Sequence, residues 1–182
     1  MLSWKKNSLI LLCLLFACCQ KIDLGDPKDT QQTTATGQGV TILGTGEGTM
    51  EYPYTVPDLR SLPSVPTEEV WVIGYLVGTA YRTMNHAEFS FEATNQTNIL
   101  LSSDSLCKDT TGCIPIELPS DKWKKQLSIP HNLAHFHKCL LVKGIPSIYL
   151  NRIGLQKVSA GLWLDDFDIS SVGPKDWSTI II

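Results

Sequence analysis

The sequence predicts an all-β fold with one or two short helices, arranged as a small five-stranded Greek-key barrel. The first observation is the run at residues 70–79, which consists almost entirely of β-branched and aromatic residues. The second is that Gly74 and Gly78 interrupt this run, and that a later β-type stretch contains an internal glycine, Gly144. Glycine inside a strand marks a bend or a close backbone approach, and a long bent strand curls a small sheet towards a barrel.

The N-terminal residues predict a targeting segment that is separate from this fold. Lys5 and Lys6 precede an apolar run at residues 9–16, which is much shorter than the roughly 20 residues needed to span a bilayer. Ala17 and then Cys18 follow, so a positive region, an apolar region and a small residue come in the order of a secretory signal. A cysteine at this place resembles the bacterial lipobox, in which the thiol is lipidated.

We therefore expect residues 1–17 to be a lipoprotein signal peptide and Cys18 to be the lipidation site. This places the protein in the cell envelope, anchored by its lipid in the bacterial outer membrane. Cys19 is a second candidate for lipidation, and an ordinary signal peptide or membrane anchor is the alternative. Cleavage before Cys18 removes two lysines and no acidic residue, so the net charge changes from −3 to −5. Such an acidic chain lacks the electrostatic footprint of a non-specific nucleic-acid binder.

The mature chain divides into a tether and one domain. Residues 18–47 are rich in Thr, Gln and Gly and cannot bury enough apolar surface to order themselves, which predicts a flexible tether. Behind a lipidated cysteine, such a segment holds a domain off the membrane. Residues 48–182 have the length of one compact domain.

The first elements of the domain are a helix and two strands. A helix is expected over residues 57–62, because its first residue is a proline and two leucines share one side. The first strand is expected over residues 69–82, where both faces are apolar and therefore covered. A second strand is expected over residues 87–92, in which Phe89 and Phe91 alternate with polar neighbours.

Extended segments and a second helix complete the domain. Residues 98–102 form an extended segment, and the two prolines within residues 114–119 suit an edge strand. Ser120 is the expected N-cap of a helix over residues 121–127. Two further strands are expected over residues 138–150 and 154–159.

Five main strands with a short helix between the third and the fourth follow the order of an OB-fold. The strand sequences VWVIGYLVGT, NILLSS, IPIELP, CLLVKG and GLQKVS agree with this order. The chain resembles a family of uncharacterised OB-fold-like domains in Bacteroidetes lipoproteins. That family has a GT-x-x-x-PYTV start, a VWV-x-GY-x-VG strand, a TNILL strand, a P-x-x-LP turn and a late v-x-G strand. These motifs lie here at residues 48–56, 70–78, 97–101, 115–119 and 142–144.

The resemblance covers residues 48–160 and implies an OB-like barrel on a lipid-anchored protein. It implies no activity and supplies no catalytic residue. Two cysteines in this region, Cys107 and Cys113, flank a small polar loop, and an exported chain permits disulfides. Close spacing does not guarantee disulfide geometry, so a disulfide and two separate thiols both remain open.

One histidine-rich segment is a candidate metal site. Its residues are His131, His135, His137 and Cys139, and imidazole together with thiolate suits zinc. No carboxylate lies nearby in the sequence, and the last two residues run into a predicted strand. The alternative is a polar loop in which Cys139 acts as a small buried hydrophobe. Because spacing alone predicts metal sites poorly, we expect no resident metal or cofactor.

A candidate ligand face combines lysines of the second helix with tyrosines of the strands. OB-folds bind single-stranded nucleic acid through aromatic side chains in a basic groove. The alternative is that the aromatic residues belong to the core and the lysines to a solvated helix face. The residues of this candidate face are Tyr75, Tyr81, Lys122, Lys124, Lys125 and Tyr149.

The sequence favours a non-enzymatic binding or interaction module for a protein or a glycan partner. An exported module for single-stranded nucleic acid is the alternative, and the net charge and the envelope location make it less favoured. A metal-dependent enzyme that uses the histidine segment is a third hypothesis. No serine lies in a nucleophile elbow, so we expect no catalytic residue.

Overall fold

The computed structural model describes Ile42 and residues 45–164, so the predicted signal peptide, Cys18 and most of the tether lie outside the described residues. The described elements are β1 (Tyr54–Thr55), α1 (Val56–Ser61), β2 (Val70–Ala80), β3 (Ala87–Glu88), β4 (Asn98–Ser102), β5 (Cys113–Glu117), α2 (Asp121–Leu127), β6 (Cys139–Tyr149) and β7 (Arg152–Trp163). Short 3₁₀ turns lie at Met84–His86, Thr110–Gly112, Ile129–His131 and Leu133–His135. Within this part of the chain, no helix is long and apolar enough to cross a membrane.

Five of the strands close into a barrel. Around the barrel, β2 pairs with β4, β4 with β5, β5 with β7, β7 with β6, and β6 again with β2. The pairing of β5 with β7 is parallel and the others are antiparallel. Helix α2 connects the third barrel strand to the fourth. This arrangement confirms the predicted all-β, OB-fold-like barrel, to which β1 and β3 add two short strands on β2.

Strand β2 contacts two barrel neighbours because it curls. Residues 70–75 pair with β6, and residues 75–78 pair with β4. The register with β4 shifts between Leu76 and Gly78. A Cβ atom at Gly78 would lie 2.5 Å from the carbonyl oxygen of Glu88, so only glycine permits the approach of β3 at this point.

The first hydrophobic cluster fills the barrel and is called the interior cluster below. Inward-facing residues of all five barrel strands contribute to it, together with Leu59 from α1 and Leu127 from α2. Helix α1 is held in place by a capping box, in which the Thr55 hydroxyl accepts from the Asp58 N–H and the Asp58 carboxylate accepts from the Thr55 N–H. The two helices therefore cover a core that the strands enclose.

A second cluster, called the outer cluster below, covers the outside of the barrel wall. Residues outside the barrel strands contribute to it, including Ile42, Cys107 in the loop after β4, and Leu164 directly after β7. Its presence explains why both faces of β2 are buried, as the apolar sequence predicts. The buried members are Ile42, Ile73, Tyr75, Val77, Ala80, Met84, Leu100, Cys113, Cys139, Leu141 and Leu164.

The expected strand over residues 87–92 is wrong beyond its first two residues, because β3 ends at Glu88. The hydroxyl and carbonyl oxygens of Ser90 accept backbone hydrogen bonds of 3.1 and 3.2 Å from the residues two and three positions further on. These local bonds turn the chain away from β2. Phe89 packs against the outer cluster while Phe91 is 56% exposed, so the two rings differ in environment.

The expectation of an edge strand at residues 114–119 is also corrected. Strand β5 pairs with β4 along its whole length and joins β7 at one position, Ile116 opposite Leu155. We attribute the tolerance of the buried Pro115 to this sparse pairing with β7, because proline cannot donate to a ladder. β7 also extends beyond the expected residues 154–159 and pairs with β6 as far as Trp163.

Candidate functional site

A groove lies between α2 and the end of β7, with a cavity volume of about 450 Å³. This volume falls within the roughly 300–1,000 Å³ that is typical of ligand clefts. We call it the α2–β7 groove. Its lining residues are Lys125, Gln126, Leu127, Asn132, Gly161, Leu162 and Trp163.

Helix α2 forms one wall of the groove because its apolar end is fixed in the barrel. Asp121 lies in the first turn, and Lys124 and Lys125 lie in the last turn, which complements the helix dipole. Ser120 is at the N-cap position as predicted, but its side chain makes no capping hydrogen bond. Leu127 is 1% exposed in the interior cluster. This anchoring holds the exposed side of the helix in a fixed orientation.

The end of β7 forms the opposite wall, and its close approach depends on Gly161. A Cβ atom at Gly161 would lie 3.2 Å from the nearer methyl group of Leu127. The Trp163 indole N–H donates a 3.2 Å hydrogen bond to the Gln126 carbonyl oxygen. His135 stacks on the Trp163 ring with centroids 4.4 Å apart and an angle of 18° between the planes. The indole is therefore positioned from two directions.

The segment after α2 completes the site. The Asn132 amide donates to the carbonyl oxygens of Lys125 and Ser128 at 3.1 and 2.9 Å, which satisfies groups at the end of the helix. The Ser128 hydroxyl lies 3.0 Å from Nδ1 of His131. These bonds explain why a chain with two 3₁₀ turns keeps a defined shape beside the groove.

A smaller hollow of about 180 Å³ adjoins the groove and shares Lys125 with it. It is lined by Gln96, Asp121, Lys124, Lys125 and His131. The Lys124 ammonium and the Asp121 carboxylate are 3.2 Å apart in an exposed ion pair, which contributes little to stability. Together the two hollows present one aromatic ring, amide side chains, an imidazole and ammonium groups. This set can hold a polar ligand that has an apolar face.

The structure separates the six residues of the candidate ligand face. Tyr75 is 5% exposed in the outer cluster, and Tyr81 is 56% exposed with the Arg82 guanidinium 5.0 Å from its ring centre. Tyr149 is half-buried, and this burial raises the pKa of its hydroxyl. Lys122 lies over the Trp123 ring, at 4.7 Å from the centre. Among the six, the smaller hollow joins Lys124 and Lys125, and no tyrosine lines it.

The four residues of the candidate metal site have different surroundings. Nδ1 of His131 contacts Ser128, His135 stacks on a tryptophan, and Nδ1 of His137 contacts the Ser105 carbonyl oxygen. Cys139 is buried in the outer cluster. Across Ile42 and residues 45–164, no group of three or more His, Cys, Asp or Glu side chains is arranged to hold a metal ion.

The two cysteines of the candidate disulfide are close together. The Sγ atoms of Cys107 and Cys113 lie 3.8 Å apart, and no bond joins them in this structure. Cys113 is fully buried and Cys107 is partly buried. The loop spacing in the sequence therefore corresponds to a real spatial pair.

Sequence reasoning missed Gln126, Asn132 and Trp163 as residues that line a groove. Their positions depend on packing between α2 and β7, which lie 25 residues apart from the end of one to the start of the other. The helix ends in Lys-Lys-Gln-Leu and the strand ends in Gly-Leu-Trp, and neither sequence indicates that the two segments are neighbours. Knowledge of the barrel topology was needed to place them together.

Comparison with known proteins defines the family. A family model described as a domain of unknown function, DUF6359, matches residues 54–164, which is more than half of the chain. This range contains the whole barrel and the α2–β7 groove. Among curated proteins and among solved structures, none matches the chain significantly. The chain therefore belongs to the DUF6359 family, whose domain forms the OB-like barrel described here.

Proposed function

We propose that this protein is a lipid-anchored envelope protein whose OB-like barrel is a non-enzymatic binding module for a protein or a glycan. The observation that carries the binding proposal is the α2–β7 groove, in which Trp163 is fixed by a hydrogen bond and by a stacked imidazole. A rigid aromatic ring beside amide side chains is pre-organised for binding, because little side-chain freedom remains to be lost. Such rings dominate the energetics of many interfaces.

The chemistry of the groove favours a glycan as the ligand. A sugar ring has an apolar face that packs on an aromatic ring, and hydroxyl groups that pair with amides and ammonium groups. Trp163 offers the ring, while Gln126 and Lys125 are exposed at the rim. The exposed Lys125 and the partly exposed Lys124 would also interact favourably with an anionic sugar.

Single-stranded nucleic acid is the alternative ligand, and the described residues offer it less support. OB-folds bind oligonucleotides on the outer face of their second and third strands and with the adjoining loops. Here those strands are β4 and β5, whose residues are buried except for the partly exposed Glu117. Leu100 and Cys113 of this wall are covered by the outer cluster. A base would have to displace these segments before it could stack there.

The membrane anchor rests on the sequence of residues 1–18, which lies outside the described residues. The resemblance to domains of Bacteroidetes lipoproteins supports the same location. A lipid at Cys18 would place the barrel behind a segment of about 24 residues that ends before the buried Ile42, long enough to keep the groove accessible from the membrane surface. A Cys18→Ser variant is expected in the soluble fraction. Its retention in membranes would contradict the proposed lipid anchor at Cys18.

Binding is tested by calorimetric titration of the protein with soluble fragments of peptidoglycan and of outer-membrane polysaccharide. We expect one glycan class to bind, and Trp163→Ala to weaken it by at least about tenfold. Tyr81→Ala is the matched control, because it removes an exposed aromatic ring outside the groove and is expected to leave the affinity within about twofold. Unchanged affinity in Trp163→Ala would refute the groove as the site.

The alternatives are separated by one further titration and one capture experiment. Single-stranded DNA at low salt is expected to give no binding, and tight binding that weakens steeply with added salt would favour the nucleic-acid module. A protein partner is tested with an extract of outer-membrane proteins, in which loss of capture by Trp163→Ala but not by Tyr81→Ala would indicate a protein ligand at the groove.

A further inference from the structure

We propose that Cys107 and Cys113 are a redox-responsive disulfide site that staples the loop after β4 to the barrel wall. The two sulfur atoms lie 3.8 Å apart in the thiol form. A disulfide needs a distance of about 2.05 Å, so the sulfurs must approach each other by less than about 2 Å. Both side chains already point to a common place, because each Sγ lies 3.3 Å from the carbonyl oxygen of Asp109.

The local backbone is shaped around this pair. A Cβ atom at Gly112 would lie 2.9 Å from Sγ of Cys107, so the absence of a side chain there makes room for the thiol. The Asp109 carboxylate accepts from the Thr111 hydroxyl and, at 2.9 Å, from the Thr111 N–H, and it caps the turn between the two cysteines. These hydrogen bonds hold the pKa of Asp109 below its usual range.

The loop has further contacts with the rest of the domain. The Ser103 carbonyl oxygen accepts from the Ile42 N–H at 2.8 Å, and the Ser105 carbonyl oxygen contacts His137. Arg152 of β7 donates to the Thr110 carbonyl oxygen at 2.8 Å. A disulfide in this loop would therefore also stabilise its contacts with Ile42, with His137 and with Arg152 of β7.

The difference in exposure determines which cysteine reacts first. Cys107 is partly exposed, whereas Cys113 is fully buried, and burial together with the neighbouring thiol raises the pKa of Cys113. The Cys107 thiolate attacks one sulfur of an external disulfide, either glutathione disulfide or a protein disulfide, and releases one thiolate. Cys113 then loses its proton and attacks the Cys107 sulfur, which releases the second thiolate. The two cysteines lose two electrons and two protons, and the external disulfide gains two electrons.

Oxidation is expected to raise stability because the bond restricts the unfolded chain. A small loop between the two cysteines predicts a rise in Tm of about 5–10 °C in the wild-type protein. The rise is absent in Cys107→Ser, in which only the partly exposed thiol is replaced by a smaller hydroxyl.

The test uses the full chain, incubated with glutathione disulfide and then alkylated under denaturing conditions. Trypsin cleaves after Lys108, so a bond between the two cysteines joins the peptides at residues 83–108 and 109–122. The expected result is this linked pair, with the loss of two hydrogen atoms, while the peptide that begins at Cys139 remains alkylated. Melting curves of the wild type and Cys107→Ser before and after oxidation complete the test.

Three results would overturn the proposal. One is full alkylation of both cysteines after oxidation. Another is a Cys107 that ends as a mixed disulfide with glutathione, or that pairs with Cys19 or with a second chain. The third is a linked pair whose formation lowers Tm, because the bond would then strain the loop and not secure it.

Discussion

Leu100 and Leu101 are neighbours on β4 with no exposed surface, yet they support different parts of the molecule. Leu101 belongs to the interior cluster, which regular strands and two helices enclose. Leu100 belongs to the outer cluster, which loops and chain segments cover. The two residues are equally buried, but their surroundings differ. Loops adjust to a cavity more easily than paired strands do, so we expect the two sites to respond differently to truncation.

Removal of these two side chains tests the difference most strongly. We predict that Leu101→Ala lowers the free energy of unfolding by about 4 kcal/mol, because paired strands cannot close the cavity. Leu100→Ala is expected to cost about 2.5 kcal/mol, since the loops can collapse onto it. Urea unfolding of the two variants measures both values. Equal losses of unfolding free energy in the two variants would indicate that the loops over the outer cluster are as rigid as the barrel strands.

Substitution of Ile42 tests whether the outer cluster includes residues that precede the predicted domain boundary at residue 48. Its side chain is 4% exposed, although it lies in the segment expected to be a flexible tether. We predict that Ile42→Ala costs about 2 kcal/mol in urea unfolding. A Thr45→Ala variant at an exposed position nearby is the control and is expected to be neutral. If Ile42→Ala leaves the free energy of unfolding unchanged, residue 42 belongs to the tether and not to the folded domain.

The two aspartates that cap segments over the two clusters, Asp58 and Asp109, provide a third comparison. Asp58 accepts hydrogen bonds from the N–H groups of Gly46 and Thr55 and from the Thr55 hydroxyl, and so it fixes α1 over the interior cluster. Asp58→Ala is expected to cost about 1.5–2 kcal/mol. Asp109→Ala, in the exposed loop of the outer cover, is expected to shift Tm less. The reverse order in thermal melts would contradict this ranking.

The capping by Asp109 also has a defined pH dependence. Its pKa is lowered in the folded protein, mainly by the hydrogen bonds from Thr111. Its contribution is therefore complete above the ordinary aspartate pKa of about 4, and it is lost as the pH falls through the lowered value. Melting curves of the wild type and Asp109→Ala should converge below that value, whereas a constant gap would exclude this linkage.

The smallest expected effect is a gain in stability within β7. Lys157 has a φ of 52°, in the left-handed region, where the register between β6 and β7 is irregular. We predict that Lys157→Gly raises the free energy of unfolding by about 0.5 kcal/mol, because relief of strain exceeds the entropic cost of glycine. Lys157→Ala keeps the strained φ and should give no gain. An equal gain in both variants would assign the effect to the lost charge.

The sequence allowed prediction of the elements whose signals are local. Proline and the inward leucine spacing predicted α1, and the β-branched run predicted β2, with boundaries that differ by one or two residues. The strand expected at residues 87–92 failed because Ser90 offers the backbone local hydrogen bonds that compete with a ladder.

The clusters and the candidate site depend on distant packing and were less predictable. β4 is buried on both faces, so alternation could not tell which leucine faces the barrel. The proximity of Cys107 and Cys113 agrees with their short spacing, because a short loop brings its ends together, and a bond between them stays a prediction. The α2–β7 groove had no such signal, since Gly161 and Leu127 meet only after the barrel closes.

The most direct test of the binding proposal is an NMR titration of the isotope-labelled protein with the glycan fraction that binds. It compares the α2–β7 groove with the outer wall of β4 and β5 in a single measurement. We predict chemical-shift changes at the Trp163 indole and at the side-chain amides of Gln126 and Asn132, with little change at β4. Changes concentrated on β4, β5 and Tyr81, with an unaffected Trp163 indole, would contradict the assignment of the groove as the binding surface.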